Sequence, residues 1–269
     1  MIVLLITGAI DLSLFEIPST KILDREDRLF QYLESLDYAI ENYKKITHII
    51  FCENTGYNYD YNSLKEKAEL RGKLLEVIIF KGNYSIIQQK GKGYGEGEII
   101  EYALDNSKYL KDCQSFYKLT GRLIVRNMDR IIAGTKSKNA FDFQPGAIYN
   151  RNQNHIETIF YKTERDLYQK YLYQAYQDVD ESKIEYLEHV YYQQLNGLKL
   201  KSFRFLPQIS GQSGTTGEEY QKPYYLRLLE KLYYAIGIHN LQKNWIEKIL
   251  FDILSVMITL WRRVEQIIF

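Results

Sequence analysis

The chain is short of cysteine, histidine and net charge, and each shortage closes off a class of function. Its 269 residues hold two cysteines, Cys52 and Cys113, with no C-x-x-C spacing. That excludes a zinc ribbon or a thioredoxin-type motif and fits a reducing compartment. The four histidines give no H-x-x-x-H pair of the kind that holds zinc. A formal net charge of +1 argues against binding nucleic acid through bulk electrostatics. Tyrosines can stack on bases, but here they are interleaved with as many acids as bases, which weakens an electrostatic groove. No segment offers about 18 uninterrupted apolar residues, so no transmembrane helix is expected. The opening M-I-V-L-L-I-T-G is too short, and lacks the basic flank, to be a secretory signal. It reads as a buried first strand.

What is present is an alternation of strand and helix patterns. With hydrophobic residues at 45% and charged residues at 26%, the chain belongs with globular rather than disordered sequences. The 25 tyrosines are a whole-chain bias and single out no site. Three β-rich apolar runs, Ile2 to Thr7, Ile46 to Cys52 and Leu75 to Phe80, are separated by helical patterns. This is the signature of a parallel sheet made of βαβ units. Leu29, Leu33, Leu36 and Ile40 form one helical stripe, with Asp24 or Asp27 as cap. A second helix is expected from about Ser63 to Arg71, and S-F-Y-K-L-T-G-R-L-I-V-R-N reads as a fourth strand. Loops after the first, second and fourth strands should then meet on one rim, where ligands bind in open α/β sheets.

Between the third strand and a helix expected over Glu98 to Leu110 stands K-G-K-G-Y-G-E-G. Open backbone N–H groups and two lysines could cradle a phosphate there, or the stretch could be a flexible turn. It has neither the G-K-[ST] of a P-loop nor a clean G-x-G-x-x-G. Further on, Thr163 to Asp178 and Ser182 to Asn196 read as helices, followed by a loop rich in glycine, serine and threonine that suits a lid, an acceptor loop or a linker. The last segment, about Tyr224 to Phe269, is helical in pattern. Its narrow polar stripe, Lys248, Asp252, Ser255, Thr259, Arg262 and Gln266, fits a helix packed in a core or dimer, or one lying on a bilayer.

I-T-G ending the first strand, F-C-E-N-T-G-Y ending the second, K-G-K-G-Y-G-E-G before a helix and F-Y-K-L-T-G-R-L-I-V as central strand together resemble a GT-A-type nucleotide-sugar glycosyltransferase of bacterial capsule and surface-polysaccharide biosynthesis. The resemblance covers roughly residues 1 to 200. It implies an α/β fold, a GT-A-like Rossmann-type mainly parallel sheet flanked by helices, with a helical C-terminal part. Residues 1–200 would be the catalytic domain, and residues 201–269 the acceptor loop and C-terminal helices. It also implies a cytoplasmic enzyme, peripheral on the membrane, that moves a sugar from a nucleotide-sugar donor to a lipid-linked glycan, with no nucleic-acid partner.

In that family the first two strand ends hold nucleobase and ribose, which here implies Thr7, Gly8, Glu53 and Asn54. The family's Asp-x-Asp, which grips a divalent metal, is replaced by Lys118-Leu119-Thr120-Gly121-Arg122. No cofactor or metal is therefore expected. Lys90, Lys92, Lys118 or Arg122 would offset the leaving diphosphate's charge, beside Gly93 and Gly95 of the glycine stretch. Arg25 and Arg28 are exposed helix charges or further phosphate contacts. Glu188-His189, in E-Y-L-E-H-V-Y-Y-Q-Q-L, resembles the family's Glu-Asp pair, with Glu188 as general base. The plainer alternative is a solvated helix face on which Glu185 and His189, four apart, form a surface pair. Two other functions stay open. A nucleotidyltransferase would share the nucleotide half but usually needs carboxylates for magnesium, and a non-catalytic interaction protein would use the tyrosine-rich helices and apolar tail.

Overall fold

The computed structural model describes residues 1–13, 21, 24–144, 154–214 and 217–220. In chain order the elements are β1 (Val3–Gly8), α1 (Arg25–Asn42), β2 (His48–Glu53), α2 (Asn62–Leu70), β3 (Leu74–Ile79), α3 (Tyr84–Lys90), α4 (Lys92–Asn106) and α5 (Lys108–Lys111). There follow β4 (Ser115–Thr120), β5 (Leu123–Val125), α6 (Met128–Gly134), β6 (Phe143–Gln144), β7 (His155–Ile156), β8 (Phe160–Glu164), α7 (Arg165–Tyr171), α8 (Leu187–Leu195) and β9 (Ile209–Gly211). The main sheet runs β3-β2-β1-β4-β8. Its first four strands are parallel and β8 is antiparallel to β4. The chain is thus α/β with a mainly parallel sheet, as the strand and helix patterns imply.

Strand periodicity builds the two cores. Successive side chains point to opposite faces, so Val3 and Leu5 join Ile50, Cys52 and Phe116 under α4, α7 and α8. Leu4 and Ile6 join Ile49, Phe51 and Leu119 on the other face, against α1, α2 and α6. Every residue of β1 is buried, as a central parallel strand covered by helices requires. Helix α1 begins where Asp24 accepts a hydrogen bond from the Asp27 N–H at 2.9 Å. It buries Leu29, Leu36 and Ile40 of the expected stripe, with Tyr32 and Ala39 beside them; each large apolar side chain so placed contributes on the order of 2 kcal/mol.

Three local expectations fail, each for a tertiary reason. The stretch Ser115 to Asn127 is not one strand: the chain turns at Gly121-Arg122, with Arg122 left-handed at φ 69°, and β5 leaves the sheet to pair with β9. Thr163 does not start a helix. Phe160–Glu164 is β8, whose Tyr161 stands opposite Lys118, and the helix begins at Arg165. The glycine stretch is not a loop, since α4 starts at Lys92 and runs through Gly93, Gly95 and Gly97. Glycine is a poor helix former, but a Cβ at Gly97 would collide with Tyr176, so close packing outweighs propensity. Gly91, at φ 102°, makes the corner between α3 and α4.

The C-terminal helical pattern and its amphipathic stripe lie outside the described residues. Among the described residues no helix is long and apolar enough to cross a membrane.

Candidate active site

The strand ends of β1, β2 and β4 do meet, and they floor a cleft of about 790 Å³. Thr7 and Gly8 come from β1, Asn54 follows β2, and Thr120, Gly121 and Arg122 follow β4. One wall is the first turns of α4, with Lys92, Gly93, Gly95 and Glu96. The other is built from His155, Glu157 and Thr158 around β7, and from Glu181, Glu188 and His189. Of the candidate ligand and catalytic residues singled out in the sequence, ten therefore line one space: Thr7, Gly8, Arg28, Asn54, Lys92, Gly93, Gly95, Arg122, Glu188 and His189.

Lys118, Lys90 and Glu53 do not line it, and neither does Arg25, which pairs with Glu26 at 2.9 Å and lies 4.0 Å from Asp11. Lys118 was expected to face the diphosphate, but it is fully buried and its three N–H donors are committed. They go to Glu96 Oε1, to Thr120 Oγ1 at 2.8 Å and to the Thr158 carbonyl at 2.7 Å. Lys90 is turned outward, donating to the Gln177 carbonyl, with its ammonium 5.6 Å from the Tyr94 ring centre. Glu53, expected to hold base or ribose, is wholly buried. It accepts from the N–H groups of Ile10 (2.9 Å), Thr55 (2.8 Å) and Tyr57 (3.2 Å), and from the Thr55 hydroxyl. It ties the loop after β1 to the loop after β2. Burial pushes its carboxyl pKa up against those hydrogen bonds.

The cations that do reach the cleft come as a set. Arg28, 4% exposed, donates from Nε to the Ala9 carbonyl at 2.8 Å, and burial lowers its pKa, with the nearby Arg122 charge acting the same way. Arg122 donates from Nη1 to Gln31 at 2.9 Å. The two guanidinium carbons lie 6.0 and 5.8 Å from the centre of one ring, that of Tyr32. Arg122 Nε is buried without a hydrogen-bond partner, and so is Asn54 Oδ1. An orphaned buried donor is costly, and a left-handed arginine adds strain.

The start of α4 does attract an anion, but the anion is the protein's own. Gly93 N–H donates to Glu181 Oε1 at 2.8 Å. Burial raises the Glu181 pKa; its Gly93 hydrogen bond and the Lys92 charge lower it, while Glu188 and Glu96 add to the rise. Glu96 behaves oppositely. Burial acts to raise its pKa, yet the charge and hydrogen bond of Lys118, with the hydroxyls of Thr120 (2.8 Å) and Thr7 (3.2 Å), hold it below the ordinary carboxylate value.

Across the cleft, Glu188 sits in the first turn of α8 and accepts from Thr158 Oγ1 at 2.7 Å. His189 Nδ1 lies 2.9 Å from the Ile184 carbonyl oxygen, and its ring is 5.9 Å from that of His155. Glu96, Thr158 and Glu181 are site residues that the sequence reading passed over. Glu96 had a signal, standing four residues after Lys92 on one helical face. His155 and Glu157 had another, an H-x-E spacing that puts both on one side of a strand. Among the described residues no three His, Cys, Asp or Glu side chains group as a metal site.

No protein-family model matches this chain, and no curated protein does. Among solved structures it is similar to HddC from Yersinia pseudotuberculosis, at 14% identity and a TM-score of 0.32, over 64% of this chain and 80% of that one. It is also similar to a "putative glucose-1-phosphate thymidylyltransferase" from Bacillus anthracis, in complex with a sucrose, at 12% identity and a TM-score of 0.43, over 80% of this chain and 91% of that one. Likeness at that level carries no functional weight, so the chemistry rests on the cleft's own side chains.

Proposed function

We propose that the cleft binds a nucleotide-activated sugar and transfers its glycosyl group to a hydroxyl acceptor. The observation that carries this reading is that a guanidinium from the cleft floor, Arg122, and a carboxylate from its wall, Glu188, line one space. Arg122, Arg28 and Lys92 would take the diphosphate's charge, since guanidinium groups match phosphate oxygens in number and geometry. Glu188 would remove the acceptor hydroxyl's proton as that oxygen attacks the anomeric carbon. The carbon–oxygen bond to phosphate breaks, and its electron pair leaves on the nucleoside diphosphate.

The turn after β4, Thr120-Gly121-Arg122, offers a guanidinium rather than carboxylates, which favours a reaction without a divalent metal. A lipid-linked glycan as acceptor, and a place at the inner membrane face, complete the proposal. The test is a thermal-shift panel of uridine, guanosine and cytidine diphosphates and their sugars, with EDTA or manganese, followed by product analysis. A ligand that binds only the folded state raises Tm by mass action. A rise with one nucleotide that survives EDTA, and release of its nucleoside diphosphate from the sugar, is expected. Release of pyrophosphate from a nucleoside triphosphate and a sugar phosphate would make the protein a nucleotidyltransferase. No shift with any ligand, in folded protein, would leave an interaction protein.

A further inference from the structure

A hydrogen-bonded chain runs beneath the cleft from α4 to α8 and ends on Glu188. Glu96 Oε1 accepts from Lys118, and Lys118 also donates to the Thr158 carbonyl at 2.7 Å. The Thr158 hydroxyl in turn donates to Glu188 Oε1 at 2.7 Å. Lys118 and Thr158 are 0% and 1% exposed, so the link between them is shielded from water, while Glu188 is half-buried at the cleft wall. Thr158 lies between β7 and β8, outside both strands. Its carbonyl is held from below by the Lys118 ammonium, while on either side the Glu157 N–H donates to the Asp142 carbonyl and the Ile159 carbonyl accepts from the Thr120 N–H, each at 2.8 Å.

We propose that Thr158 is the positioning residue for Glu188, and that the Lys118–Glu96 pair holds Thr158 in the orientation this requires. The inference rests on the reading of Glu188 as base. A glutamate at the start of a helix has several open rotamers. A hydroxyl donor on Oε1 selects one of them and leaves Oε2 for an incoming hydroxyl. The same bond has to hold the carboxylate in place among its neighbours. It works against like charge: Glu181, from the turn before α8, and Glu96, from α4, both face this space. Tyr191 and Tyr220 also feel the Glu188 charge, and His155 and His189 line the same wall. Lys118 cannot neutralise Glu188 itself, because its donors are already committed.

The test compares wild type with Thr158→Val, which keeps the side chain's shape, and Thr158→Ser, which keeps the hydroxyl. The first readout needs no ligand: the 13C carboxyl resonance of Glu188 at neutral pH in the full chain, which reports the hydrogen bond from Thr158. It should move in Thr158→Val, where the hydroxyl donor is lost, and return in Thr158→Ser. The second is release of nucleoside diphosphate from the nucleotide sugar that raises Tm. There kcat should fall roughly tenfold with KM for the donor unchanged, the scale of one lost hydrogen bond to a charged group, and serine should restore it. An unmoved carboxyl resonance in Thr158→Val, or a serine variant as impaired as the valine one, would overturn the positioning role. Glu188→Gln, run alongside, separates the two claims. Wild-type kcat in that variant removes Glu188 as base, whereas an inactive Glu188→Gln with a fully active Thr158→Val leaves the base and removes Thr158.

Discussion

The carboxyl ends of β2 and β4 flank β1 on opposite sides, and each secures a carboxylate in a different way. At the β2 end Glu53 is held by three backbone N–H groups and a hydroxyl, with no cation among those partners. At the β4 end Glu96 is held by Lys118 and two hydroxyls. Neutral donors satisfy Glu53 without cancelling its charge, so burial wins and its pKa rises. A cation reverses the outcome for Glu96, whose pKa falls. The difference teaches that a satisfied hydrogen-bond count and a satisfied charge are separate conditions. The rigid, uncharged clamp shapes the rim. The ion pair, by contrast, reaches into the cleft's electrostatics.

The largest expected effect breaks the β4 side. Lys118→Met leaves Glu96 without its cation and should cost about 3–5 kcal/mol of stability in urea unfolding. The Glu96→Gln/Lys118→Met double variant should recover most of that, because it removes both charges together. A single-variant cost near zero would mean that hydroxyls alone hold Glu96.

Next comes the pH dependence that separates the two ends. Glu53, raised in the folded protein, contributes most below the ordinary glutamate value of about 4.3, and its contribution is lost as pH rises through its raised pKa. Glu96, lowered, contributes above about 4.3 and loses that contribution as pH falls through its depressed pKa. Glu53→Gln should therefore flatten the decline of stability on the rising side, while Glu96→Gln flattens the decline on the acid side. Identical slopes for the two variants would erase the contrast.

A third prediction sharpens it by removing charge that has no carboxylate. Arg122→Gly suits the left-handed backbone and deletes the guanidinium. Tm should hold or rise, while nucleoside diphosphate affinity, read by calorimetry, drops about tenfold, the scale of one charge-assisted hydrogen bond. The smallest effect is expected from Glu181→Ala. Freeing the Gly93 N–H and Lys92 should tighten pyrophosphate binding by a few-fold, as a helix N-terminus contributes roughly 0.3–1 kcal/mol; unchanged binding would make Glu181 a simple cap.

The parts legible in the sequence were those governed by local pattern. β1, β2 and β3 declare themselves by β-rich apolar runs, α1 by its stripe and its Asp24 cap, and the shared rim follows from strand order alone. Hidden were the parts decided by long-range partners. Lys118 reads as a free cation because its three acceptors come from positions 96, 120 and 158. Glu53 reads as a ligand residue because backbone donors leave no trace in a sequence. The glycine stretch reads as a loop because only Tyr176, far along the chain, shows why the helix there must be smooth. Arg28 and Glu188, by contrast, were visible as candidates, and the cleft brings both into one space.

The central place of β1 also bears on how the chain is made. Val3 pairs with His48 on one side and with Phe116 on the other, so β1 leaves the ribosome before either neighbour and its second edge closes only when β4 follows. At typical synthesis rates its second edge waits on the order of ten seconds for β4. During that interval an apolar strand with an open edge is exposed in a half-finished sheet, the state most vulnerable to pairing with a stranger. The nascent chain therefore depends on early cover from α1 and β2, and slowing translation between residues 53 and 115 should raise aggregation more than the same pause placed after β4.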